Sequence, residues 1–137
     1  MKINNQKGFT LIELVLVITI LGILAVAALP SFIDITSQAT TASRDGVVGA
    51  IREGLAIQYS YDLVINPTSA AYPTTLGGTD GAASDSNQLF SNVLDQGVNN
   101  DMWEQAGLVY TFDDNGSSET CYTYTPASGS FLQSTCP

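Results

Sequence analysis

Lys7-Gly8-Phe9-Thr10-Leu11-Ile12-Glu13, together with the run LVLVITILGILAVAALPSFI over 14–33, decides how this chain folds. The twenty residues between Glu13 and Asp34 carry no charge. Wound as a helix they span about 30 Å, the thickness of a bilayer's hydrocarbon core. Glu13 is the anomaly, a carboxylate set against the start of that run. An ionisable group at membrane depth costs about 2.5 kcal/mol or more, so such a group is expected to have a partner and a role.

The residues admit three readings of this stretch. A cleavable secretory signal fits the positive start at Lys2 and Lys7, with a cut at Ala25-Val26-Ala27 or one ending at Ala28. A capping box fits Thr10 followed by Glu13 three residues later, ahead of an apolar run. A retained membrane anchor fits if a short leader is removed at Gly8 and not at the alanines.

Lys7 to Glu13, followed by an apolar run containing Gly22 and Pro30, closely resembles the leader and N-terminal helix of type IV pilins. The resemblance covers about the first forty residues. It implies that residues 1–8 are a leader cut after Gly8 by a prepilin peptidase, which also methylates the new amino group of Phe9. It implies an α+β pilin fold, with 9–33 as a transmembrane and filament-core helix and 34–137 as an exported globular domain. Its other partners would be an inner-membrane assembly platform, an assembly ATPase and further copies of the chain. The subunit would wait in the inner membrane, with its C-terminal domain in the periplasm, and end in a surface fimbrium.

The pattern also has a physical account beside the resemblance. Lys2 and Lys7 favour a cytoplasmic N-terminus, so residues beyond Ile33 are expected outside the cytoplasm. A cut after Gly8 leaves a cationic amine at Phe9. Phe9 and Glu13 are four apart, on one face of a helix. The amine can neutralise the carboxylate within the chain or on a neighbour. In a packed apolar fibre an unpaired carboxylate is strongly disfavoured. Pairing Phe9 of one copy with Glu13 of another would therefore set subunit register during assembly.

The chain has 137 residues and a net charge of −9. Removing a leader that holds Lys2 and Lys7 leaves two Arg against thirteen Asp and Glu, or −11 on side chains. That surface repels phosphate backbones, so no nucleic-acid partner is expected. Cys121 and Cys136 are an even pair in a small exported domain, the pattern of a disulfide. Type IV pilins resemble this in having a C-terminal loop closed by a disulfide. With no His in the chain, a zinc set from two thiols would be incomplete, so no metal is expected.

Beyond the apolar run the helical pattern continues over 34–61. Pro30 removes a backbone donor and predicts a kink, and Gly22 adds a second soft point. Val47, Ile51, Leu55 and Tyr59 form an apolar stripe, expected under the sheet. A parallel stripe of small residues, Ala42, Gly46, Ala50 and Gly54, suggests either close approach of another backbone or a loosened exposed helix. Asn66-Pro67 ends the pattern. A variable loop region is expected over 66–105, including a short helix at Gln88–Leu94 with Leu89, Phe90, Val93 and Leu94 inward. Trp103 is expected to pack against the sheet. Asp80 and Asp85 read as turn residues in preference to calcium ligands, since no known loop spacing is present.

The sheet is expected over 107–137, with about three antiparallel strands and the disulfide loop. Leu108–Phe112 alternates with Leu108, Tyr110 and Phe112 on one face. Asp113-Asp114-Asn115-Gly116 predicts a hairpin turn into Glu119–Thr125. Pro126–Gly129 turns the chain into Phe131–Cys136. Three strands need cover on one face, which the amphipathic part of the helix can provide.

Without His, His-based triads and His-metal sites are excluded, and there is neither a phosphate-cradling glycine motif nor a basic patch. No catalytic residues and no cofactor are expected. The reading is a structural filament subunit, serving adhesion, motility or surface attachment. Within pilins, the mannose-sensitive haemagglutinin type is the most similar. Alternatives are a minor pilin, a type II secretion pseudopilin, a tip adhesin or DNA-uptake module, and a periplasmic binding protein released after Ala27 or Ala28.

Overall fold

A computed structural model describes residues 8–114 and 119–137, without the side chains of 30–34. One helix, α1 (Leu11–Ile65), is followed by five strands: β1 (Gly81–Ala82), β2 (Trp103–Ala106), β3 (Val109–Phe112), β4 (Thr120–Thr125) and β5 (Ser130–Ser134). The chain divides into two compact units after Gln38.

The first unit is the apolar part of α1. Thr10 starts the helix: its Oγ1 accepts from the Glu13 N–H at 3.3 Å, and its carbonyl accepts from Glu13 and Leu14. That is the forward half of a capping box. Gly22 and Pro30 both fall inside α1, so neither ends it. A proline in a helix interior forgoes one backbone bond, and neighbouring bonds carry the helix past it.

The second unit begins at Ala39 and carries the antiparallel sheet, in the order β1-β2-β3-β4-β5. Five strands replace the three expected. The two additional ones, β1 and β2, come from the region read as loop. Their residues give little alternation to read: Gly81–Ala82 is a two-residue edge, and Trp103-Glu-Gln-Ala is too short for periodicity. Pairing decides them, with Glu104 opposite Thr111 on one side and Ala82 on the other. β3 and β4 are antiparallel, with Tyr110 opposite Tyr122. Asn115 and Gly116, expected as the hairpin turn between them, lie outside the described residues.

The core is built from Val48, Ile51 and Leu55 of α1 with Leu76, Leu89, Phe90, Trp103, Tyr110, Phe112, Tyr124 and Phe131. Aromatic rings dominate it. Phe90 meets Trp103 edge-on at 5.3 Å and Tyr110 at 4.8 Å. Such contacts add about 0.5–1.5 kcal/mol each beyond burial. The helical stripe differs from expectation at its ends. Val48 is the fully buried residue and Val47 only flanks the core. Tyr59 is half-buried, outside the core, and stacks on Tyr72 with ring centroids 4.4 Å apart.

Gln88–Leu94 is a turn and not a helix. Leu89 forms an isolated bridge with Val98, and Phe90 has a positive φ of 62°. A left-handed residue breaks helical propagation, and burial of the Phe90 ring among the other aromatics offsets its backbone strain. Leu89 and Phe90 are buried, and Val93 and Leu94 pack against the core, so the inward-facing residues are those expected. Trp103 is a sheet residue, fully buried within β2. Leu108 precedes β3 and is partly exposed, while Tyr110 and Phe112 are buried.

Candidate functional site

Gly8, Phe9, Thr10 and Glu13 stand at the start of α1, followed by an apolar segment over Leu11–Leu29. This segment is long and apolar enough to cross a membrane, and none of it is buried within the chain. Phe9 is 85% exposed and Leu11 80%. Thr19, the polar residue in mid-run, donates its hydroxyl to the Leu16 carbonyl at 2.8 Å, so it brings no unsatisfied donor into an apolar setting. Bare apolar helix on this scale is stable in lipid or against other apolar surfaces, and unfavourable in water.

At this end the Glu13 backbone is committed to the cap through its N–H. The Glu13 carboxylate is exposed, with no bonded partner among the described residues. It is the acidic residue of the first helical turn, where the positive end of the helix dipole favours an anion. Phe9 and the Glu13 carboxylate, four residues apart, are both exposed.

Cys121 and Cys136 are bonded, with a sequence separation of 15 and Cα atoms 5.2 Å apart. The bond ties β4 to the segment after β5. Asp80 accepts from the Gly107 N–H at 2.8 Å, and Asp85 from the Asn99 side chain at 2.7 Å. Both organise loops, and they do so separately. Among the described residues no three His, Cys, Asp or Glu side chains gather as a metal set.

The features not singled out from sequence are Arg44 and Arg52. They are the two cations that remain once Lys2 and Lys7 are set aside, and their spacing of eight puts them on one helix face. Arg44 pairs with Asp45 at 2.8 Å and donates to the Thr120 hydroxyl at 3.3 Å. The hydrogen bonds that Arg44 donates to Asp45 hold its pKa above the ordinary value. Arg52 donates through Nε to the Phe131 carbonyl at 3.0 Å. Charge counting and helical spacing were the available signals.

The family described as "Prokaryotic N-terminal methylation motif" matches residues 3–29. Similar curated proteins include the type IV narrow pilus major component PilA5 of Thermus thermophilus, 53% identical over 53 residues, which are 39% of this chain and 46% of that one. The type IV major alpha-pilin of Moraxella bovis is 53% identical over 47 residues, covering 34% of this chain and 30% of its own. The type IV major pilin protein PilE1 of Neisseria gonorrhoeae is 65% identical over 34 residues, covering 25% and 20%. The chain spans less than half the length of these relatives. No solved structure matches it. The similarity to type IV pilins therefore lies in the N-terminal segment of the chain.

Proposed function

We infer that this chain is a structural subunit of a type IV pilus, with no catalytic activity of its own. The observation that carries the reading is the uncovered helix Leu11–Leu29, with Glu13 at its head and Gly8-Phe9 directly before it. The leader 1–8 is removed after Gly8 and the Phe9 amine is methylated by a prepilin peptidase. The subunit then rests in the inner membrane with its sheet domain in the periplasm. An assembly platform and its ATPase move it into a filament whose core is built from many copies of the apolar helix. Burying that segment against its own kind replaces the lipid contacts it leaves.

Phe9 and Glu13 set the register. The carboxylate loses water as the helix enters the core, and the incoming Phe9 amine neutralises it. Gly22 and Pro30 are the points where the helix accommodates its packing. The names of the relatives, major pilus components in three bacteria, favour a major over a minor subunit.

Electron microscopy of sheared surface filaments, with mass spectrometry of their main protein, tests the reading. The expected result is thin filaments whose subunit begins at methylated Phe9. A mature chain that begins at Ala28 or Leu29 and stays dispersed in the periplasm overturns it.

A further inference from the structure

We propose that the groove holding Arg44 and Arg52 is the docking site for the acidic β2 edge of a second copy of this chain, around Asp101 and Glu104. The inference rests on the filament reading above. The groove is lined by Arg44, Asp45, Val48, Gly49 and Arg52 of α1, Tyr122 of β4 and Gln133 of β5, so two cations share it with one carboxylate. It therefore lies at the β5 side of the sheet. Asp101 and Glu104 are exposed and lie at the other side, where β1 pairs with Glu104 and Gln105 of β2 while the two acidic side chains stay exposed.

Charge decides the occupant. A mature subunit of −11 on its side chains repels its copies at almost any contact. The groove is the place where a neighbour's carboxylate meets cations. Arg44 is partly satisfied by Asp45 and Thr120. Arg52 is exposed, and its Nε bond to Phe131 leaves its two terminal nitrogens without a carboxylate among the described residues. Guanidinium nitrogens bind a carboxylate in a fixed, often bidentate geometry, which makes Arg52 the anchor of the contact. Asp101 and Glu104 have no cation near them in the same copy among the described residues.

The symmetry follows from the placement. The two patches lie at opposite edges of one sheet, so the contact is head-to-tail and not self-complementary. Repeated heterologous contacts that do not close give an open helix, as a filament requires. The interaction would orient the sheet domains once the apolar helices have brought the subunits together.

A charge swap in the full chain tests the proposal. Arg52→Glu should leave processing and membrane level unchanged, and reduce sheared filament yield about tenfold or more. The double variant Asp101→Arg, Glu104→Arg should do the same, and the triple variant should recover filaments. Normal yield from either reversal, or no recovery in the triple variant, overturns the proposal. If Arg52→Glu fails to accumulate, Gln133→Cys with Glu104→Cys keeps both arginines: oxidised filaments should give a ladder of cross-linked subunits, and monomer alone overturns the inference. Absence of filaments from the unaltered chain would instead remove the filament reading itself.

Discussion

Gly54 of the helix lies against the backbone carbonyl of Val93, and a methyl group at that position would overlap the Val93 oxygen. The contact fixes the turn that carries Phe90 into the core. Because the obstacle is backbone, no side chain can swing aside. Gly54→Ala is expected to destabilise the sheet domain by about 1–3 kcal/mol, in the range of overpacking substitutions. Gly46 and Gly49 have open space at the same position. Gly46→Ala and Gly49→Ala should instead stabilise by about 0.5–1 kcal/mol each, through the ordinary helix preference for alanine. Thermal denaturation of the three variants separates the cases. Equal effects at 46, 49 and 54 would show that the Val93 contact does not govern Gly54.

Glu13 and Thr10 have separable roles. The cap bond runs from the Glu13 backbone N–H to the Thr10 hydroxyl, so Glu13→Ala leaves it in place. Thr10→Ala removes it, at a cost of about 1 kcal/mol to the helix start. The assembly role therefore predicts processed, membrane-inserted and unassembled protein from Glu13→Ala, with filaments retained in Thr10→Ala. Quantitative blotting of sheared and cell-bound fractions reads the difference. Equal loss in both variants would assign the effect to capping.

The disulfide closes the C-terminal segment onto β4, and Cys121 is itself buried. For a loop of this length the chain-entropy model gives about 3 kcal/mol. Replacing both cysteines by serine is expected to lower Tm by roughly 10–20 °C for a domain of this size. Calorimetry of the variant against the oxidised parent checks it, and a change of a degree or two would show that packing of β5 alone holds the segment.

Alkali should destabilise the sheet domain through its buried tyrosines. Burial pushes the Tyr110 phenol up to about 12, partly offset by the Leu76 backbone nearby. Burial also raises Tyr122 and Tyr124, and the Tyr124 hydroxyl must stay protonated to donate to the Pro73 carbonyl at 2.6 Å. A phenol raised in the folded state binds its proton more tightly there than in the unfolded chain. Its contribution is complete below pH 10 and disappears as pH rises through 12. For Tyr110 that amounts to about 3 kcal/mol. Urea midpoints from pH 9 to 12 should fall along this course, with a shallower fall in Tyr110→Phe. An unchanged slope in that variant would move the effect to other groups.

Much of the candidate site is readable because its signals are contiguous. Lys7 to Glu13 is a fixed-spacing motif, and the uncharged run after it needs only counting. The Cys pair and the apolar stripe of α1 are likewise local or periodic. Arg44 and Arg52 are less readable, because their meaning comes from Tyr122 and Gln133, some seventy or more positions away. The turn at Gln88–Leu94 shows the same limit. Its apolar residues fit a helical face, and the bridge from Leu89 to Val98 with the left-handed Phe90 overrides that preference.

By itself the sequence determined the apolar helix, the acid at its head, the acidic balance of the chain and the C-terminal strand pattern. These depend on length, period and charge, which need no partner to be read. Only the tertiary structure decided that the sheet has five strands, that Gly54 meets Val93, and that the remaining cations share one groove at a sheet edge. Those features arise when distant segments compete for the same burial and backbone bonds, and that competition is resolved in the folded chain alone.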